Sequence, residues 1–141
     1  MELTYSPARP EDAPVIFGFA RELIERYETD PDLDLIMALS WTRRKIEKHI
    51  HEYTRVLLDG EVAAFFRFAP DGQRMELDDL YVLPAFRDRG IGTAILRRCV
   101  AEGKPIYFYV FTKNTRAIAL YEREGFRKAE DVSSSRCIMA R

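Results

Sequence analysis

The chemistry in this 141-residue chain concentrates in one stretch, Leu80-Tyr81-Val82-Leu83-Pro84-Ala85-Phe86-Arg87-Asp88-Arg89-Gly90-Ile91-Gly92-Thr93. A strand ends there, a loop with two arginines follows, and two glycines open a helix. Glycine's missing Cβ lets a ligand approach the backbone, and the free N–H groups of a helix start face it. Such a terminus suits an anion, a phosphate or pyrophosphate above all. The same spacing also fits a turn whose glycines only relieve strain. Two familiar phosphate motifs are absent. No Gly-Lys-Ser/Thr follows the turn, and a dinucleotide fingerprint would need a small residue at Ile95 and an acid near Val110, Phe111 and Thr112.

Just upstream, Glu76 and Asp78 share strand parity with Leu80 and Val82, which turns both carboxylates toward one cleft unless a bulge intervenes. Either could take up a proton, or be a solvated strand carboxylate. A second acidic group, Glu28, Asp30, Asp32 and Asp34, surrounds Pro31. It would draw a cationic ligand, or be a solvated loop. His49 and His51 stand two apart on a helix, hence on different faces, and no metal is expected. Trp41 reads as a packing residue at a helix entrance.

The elements that position these residues follow from period and punctuation. Leu3 to Ser6 forms a short first strand, and Ile16, Ala20, Leu23 and Tyr27 recur at helical spacing. A second helix is signalled by Thr42 as N-cap, with Ile46, Ile50 and Tyr53 on one face. Arg55 to Leu58 leads through Asp59-Gly60 into Val62 to Phe68, and Pro70-Asp71-Gly72 turns into Arg74 to Val82. Gly90 to Glu102 reads as a helix closed by Gly103. Ile106 to Phe111 is a continuous apolar strand, as expected of one covered on both faces. Strand, helix, strand in this order implies a right-handed parallel crossover. A short helix over Thr115 to Glu124 and a terminal hairpin complete a mixed α/β (α+β) fold. The sheet is expected to have six or seven strands, mostly antiparallel, with about four helices and one parallel strand pair.

Arg87-x-x-Gly90-x-Gly92, after a strand ending in Val82-x-Pro84, resembles the acetyl-CoA signature of the GNAT N-acetyltransferases. Asn114-x-x-Ala117-Ile118-x-x-Tyr121-x-x-x-Gly125-Phe126 is similar to that family's next motif, at the expected distance. The order of strands and helices matches the family over almost the whole chain. The resemblance implies that backbone amides from Arg87 through Asp88, Arg89, Gly90, Ile91 and Gly92 to Thr93 hold the CoA pyrophosphate. It implies a pantetheine arm along Leu80, Tyr81 and Val82, entering a splay between that strand and Ile106–Phe111. The positions of Asn114 and Ala117 border the cofactor, and Tyr121 is the acid that protonates the departing thiolate. Two of these residues have a simpler alternative: Asn114 would cap the following helix, and Tyr121 could be core. Glu76 occupies a position similar to the glutamate base of histone-type members. One departure stands out. N-terminal acetyltransferases of ribosomal proteins carry a glutamate five residues before the Asn, where this chain has Tyr109.

Composition bounds the rest. Hydrophobic residues at 47% and charged residues at 32% fit one folded domain over residues 1–141 rather than a disordered chain. Net charge −1 and a pI near 6.2 argue against a nucleic-acid partner. The longest apolar run falls far short of the ~20 residues of a membrane span, and no signal peptide opens the chain. Cys99 and Cys137 have no metal spacing and read as reduced thiols of a cytoplasmic protein. The expected function is acetyl transfer from acetyl-CoA to a primary amine, by direct attack in a ternary complex. The acceptor would be a small-molecule amine, or the lysine or N-terminal amine of a peptide, and the protein a monomer or homodimer. A non-catalytic acyl-CoA sensor of the same fold is the alternative.

Overall fold

A computed structural model describes residues 1–141. β1 (Leu3–Pro7), β2 (Tyr53–Leu58), β3 (Glu61–Asp71) and β4 (Arg74–Val82) form an antiparallel run, in which the continuous apolar centre of β3, Ala63 to Phe66, is buried on both faces. Asp59 and Gly60 take φ of 53° and 82°, the left-handed pair that a two-residue hairpin turn requires. β3 continues through Pro70, opposite Met75, so the second turn lies at Gly72-Gln73, two residues later than expected. β5 (Ile106–Phe111) runs parallel to β4. The chain then returns so that β7 (Arg136–Ala140) lies between β5 and β6 (Arg127–Asp131). The result is a seven-stranded sheet in the order β1-β2-β3-β4-β5-β7-β6, with one parallel pair.

Helices cover both faces. α3 (Ile91–Val100) and α4 (Thr115–Arg123) lie on one, where Ile91, Ile95 and Leu96 join Val56, Leu77 and Phe108 in a core of 17 buried residues. α1 (Ala13–Tyr27) and α2 (Leu35–Lys48) lie on the other, where Ile16, Phe17 and Ile46 pack on Tyr53 and Phe65 in a cluster of seven. α2 begins earlier than the sequence suggests. Asp34 caps it, its side chain accepting from the Met37 N–H at 3.1 Å, while Thr42 lies inside the helix and donates back to the Ala38 carbonyl at 2.8 Å. Ile50 and Tyr53 lie beyond its end, in a 3-10 turn and in β2.

A bulge in β4 decides which side chains reach the site. Tyr81 stands opposite Phe65 and Asp78 opposite Arg67, so Asp79 and Leu80 together oppose the single residue Phe66. Asp79 absorbs the extra residue at φ 50°. The parity expected from Glu76 to Val82 is therefore broken. Leu80 and Val82 pack with Met75 and Leu77 against the α3/α4 core, whereas Tyr81 packs on the α1/α2 side. The parallel ladder between β4 and β5 holds only Met75 to Ile106 and Glu76 to Tyr107; beyond it the two strands part.

Candidate active site

Where β4 and β5 part, a cleft of about 980 Å³ opens through the sheet from the α3/α4 face to the α1/α2 face. Leu80, Tyr81 and Val82 form one wall, and Tyr109, Val110 and Phe111 form the other. The turn into α3 closes one end together with the start of α4.

That turn has the geometry of an anion cradle. Asp88 and Gly90 adopt φ of 62° and 79° on either side of Arg89, and Gly90 is the N-cap of α3 without a side-chain cap. The first helical hydrogen bond is donated by Ala94 to the Gly90 carbonyl. The backbone N–H groups from Asp88 to Thr93 therefore have no acceptor within the chain. Successive amides in such left-handed turns point inward as a nest, and the helix start adds its partial positive charge. A Cβ on Gly92 would stand 3.4 Å from the Leu120 side chain and 4.0 Å from that of Val82, so this glycine is where α3 comes close to α4 and β4. The Arg87 Nε bonds the Val82 carbonyl at 3.0 Å, and Arg116 pairs with Asp88. Arg89 is turned out of the cleft, its guanidinium 5.4 Å from the Phe86 ring.

On the same face, α4 presents Ala117 and Tyr121 to the cleft and Asn114 begins the helix, its side chain accepting from the Ala117 N–H at 3.3 Å. The Tyr121 ring packs 4.3 Å from Phe108 and 6.3 Å from Phe126, centroid to centroid. Its hydroxyl makes no hydrogen bond within the chain, and burial pushes the phenol up to about 12. It is a neutral donor at physiological pH.

The opposite face supplies charge. The Lys45 Nζ lies 2.6 Å from Asp78 Oδ2 and 3.5 Å from Asp79 Oδ2. Asp79 is saturated: Tyr81 donates to its Oδ1 at 2.7 Å and Tyr53 to its Oδ2 at 2.5 Å. Both phenols are raised, first by burial and then by the Asp79 charge. Asp78 is pushed up to about 6, by burial first and by the neighbouring Asp79 second, against the pull of Lys45. Lys45 is raised, because the two carboxylates outweigh the effect of its own burial.

Placement of the sequence-derived candidates is thus uneven. Leu80, Tyr81, Val82, Asn114, Ala117 and Tyr121 line the cleft, as does the turn from Arg87 to Thr93 apart from Arg89. Glu76 does not; it belongs to the parallel ladder, opposite Tyr107, and accepts from Arg67 Nη1 at 3.2 Å, while the Nε of Arg67 holds Glu52. The Glu28–Asp34 loop stays outside as well. Glu28 accepts from the Ser135 hydroxyl and the Asp30 N–H, Asp30 accepts from the Asp32 N–H, and Asp34 caps α2. Trp41, expected to be packed, is 63% exposed at the cleft's rim. Lys45 and Asp79 carried no signal of their own, since one needs the fold and the other the bulge to reach the site.

The chain matches the profile of the Acetyltransferase (GNAT) family over residues 17–126. It belongs to that family, and its reaction class is acetyl-CoA-dependent acetyl transfer. Solved structures share the fold at low identity. The PaiA N-acetyltransferase of Thermoplasma acidophilum, in complex with coenzyme A, is 19% identical with a TM-score of 0.73, over 100% of this chain and 99% of that one. The ribosomal-protein-S18-alanine N-acetyltransferase of Escherichia coli is 22% identical with a TM-score of 0.64, over 99% and 92%. The spermidine N-acetyltransferase of Vibrio cholerae, in complex with CoA and spermine, is 16% identical with a TM-score of 0.70, over 99% and 94%.

Proposed function

We propose that this chain, acting as one domain, acetylates a primary amine by direct transfer within a ternary complex at the β4–β5 cleft. The observation that carries the reading is the run of acceptor-free amides from Asp88 to Thr93, opening into the same cleft as the Tyr121 hydroxyl and the Asp78 carboxylate. Acetyl-CoA would supply the activated acyl group as a thioester. The amides of the Asp88–Thr93 turn would hold its pyrophosphate, and the unpaired edge of Leu80 to Val82 would align the chain that follows. Asn114 and Ala117 border that path.

Asp78 is the better base than Glu76, because it lines the cleft, whereas Glu76 lies outside it and accepts from Arg67 at 3.2 Å; the same Arg67 Nη1 stands farther from Asp78 Oδ2, at 3.9 Å. Asp79 already accepts from two phenols and serves as a fixed charge. An amine near a lysine's reference value of ~10.4 must lose about three pK units at pH 7, roughly 4 kcal/mol. Asp78, directly or through water, would take that proton as the amine nitrogen bonds to the carbonyl carbon. Tyr121 would give its proton to the sulfur as the C–S bond breaks. Holding both reactants in one cleft can supply ~7–11 kcal/mol in good geometry. Nothing in the residues calls for a metal. Tyr109, where ribosomal-protein acetyltransferases have a glutamate, sets this chain apart from that chemistry.

The test is CoA thiol release from acetyl-CoA with a panel of amines, alongside calorimetric acetyl-CoA binding. Turnover with intersecting initial-rate lines supports direct transfer; parallel lines would point to a covalent intermediate.

A further inference from the structure

Resting on that reading, we infer that the acceptor is a monoamine on an aromatic or aliphatic body, with no second positive charge. The cofactor elements, α3, α4 and their turn, lie on one face of the sheet, so the acceptor enters from the α1/α2 face. Three observations describe that entrance.

The first is its apolar wall. Tyr27 of α1 stacks on Phe111 of β5 with centroids 6.2 Å apart, and Phe19 stacks on Tyr81 at 5.8 Å. Trp41 lies at the rim and is 63% exposed. One turn further out on the same stripe of α2, Met37 is 68% exposed. A large aromatic surface left in water next to a cleft is an unfilled contact, and an apolar ligand body that covers it gains by its burial.

The second is the state of the inner carboxylates. The stripe Met37, Trp41, Lys45 ends with the Lys45 ammonium on Asp78 and Asp79. A substrate's second ammonium would have to displace an internal cation that is already hydrogen-bonded. The carboxylates of the acidic loop, which would otherwise attract a polycation, are held outside the cleft.

The third is the charge at the rim. The Arg136 guanidinium stacks 5.2 Å from the Tyr109 ring and 6.0 Å from that of Phe111, on the same wall. Arg26 stands 5.3 Å from the Tyr27 ring, with Glu22 the one rim carboxylate nearby. The faces of Tyr27, Tyr109 and Phe111 are thus already covered by arginines, and the Trp41 ring is the one left open at the rim, beside these positive charges. A distal positive charge would meet repulsion there, whereas an apolar body would pack beside Trp41.

The experiment measures kcat/KM by CoA release for 2-phenylethylamine, tryptamine and hexylamine against spermidine and a lysine-bearing peptide. We expect the apolar monoamines to lead by about tenfold or more, and Trp41→Ala to raise their KM about tenfold without altering acetyl-CoA affinity. Arg136→Glu should narrow the gap to spermidine. Calorimetry separates the failures. A protein that binds acetyl-CoA but prefers spermidine or the peptide overturns this inference alone; one that binds acetyl-CoA and acetylates none of these amines overturns the proposed transfer as well, in favour of a sensor. One that does not bind acetyl-CoA overturns the proposed function with it.

Discussion

The Lys45 ammonium, 2.6 Å from Asp78 Oδ2, is the one hydrogen-bond partner of that carboxylate within the chain. The two residues are 33 positions apart and meet because the Lys45 side chain reaches from α2 to β4. A buried carboxylate beside Asp79 rises, and the ammonium restrains that rise. Asp78 is thereby set at about 6, protonated below that pH and able to accept a proton above it.

The pH profile of kcat should therefore rise through about 6, where Asp78 loses its proton. Lys45→Met removes the opposing charge and should move that limb upward. Asp78→Asn should abolish the limb and lower kcat about 10²–10⁴-fold. Glu76→Gln removes a like charge that raises Asp78, so it should move the limb downward without abolishing it. A limb abolished by Glu76→Gln and kept in Asp78→Asn would return the base to Glu76.

Tyr121→Phe keeps the ring against Phe108 and Phe126 and removes only the hydroxyl. It should lower kcat at least tenfold while leaving acetyl-CoA affinity within about twofold, the pattern of a group acting only in the transition state. Steady-state rates and calorimetry on the same preparation check this. Unchanged turnover with chemistry rate-limiting would assign Tyr121 to packing.

Gly90 and Gly60 offer a paired test of the turn, because both have positive φ, 79° and 82°, with open space around the missing Cβ. Alanine at either should cost about 1–2 kcal/mol of backbone strain. Only Gly90→Ala should also weaken acetyl-CoA binding, since Gly60 lies in the β2–β3 hairpin. Equal affinities in the two variants would make the turn merely structural.

The acidic loop should behave as structure. Asp34→Ala removes the cap of α2, about 1 kcal/mol of stability and a few degrees of Tm. Asp30→Asn with Asp32→Asn should leave KM unchanged for cationic and neutral amines alike. A selective rise for the cationic ones would show that the loop reaches the acceptor.

The glycine turn and the Asn114–Tyr121 helix were legible in the sequence because each is a local device. A strand end, two glycines and a cap are read within a dozen residues. The β4–β5 crossover was legible for the same reason, since apolar period and turn residues mark its parts. Both candidate carboxylates, Glu76 and Asp78, were legible too, but not the face that Leu80 and Val82 would take, because the bulge at Asp79 exists only once β4 pairs with β3. α2 hid its first two turns because Ile36, Met37 and Trp41 are exposed, 81%, 68% and 63%, and leave no one-sided apolar period to detect. The acidic cluster left two readings open because charge composition carries no information on hydrogen-bond partners. Glu28, Asp30 and Asp34 are each committed to a backbone N–H or a hydroxyl.

The most direct test of the account is a two-dimensional amide spectrum of the 15N-labelled protein titrated with acetyl-CoA. Six consecutive N–H groups from Asp88 to Thr93 lack an acceptor in the chain, and a bound pyrophosphate would supply one. The account predicts that these amides show the largest shifts, saturating together with those of Leu80 to Val82 and Asn114 to Ala117. Saturable binding that leaves the Asp88–Thr93 amides unmoved would contradict it.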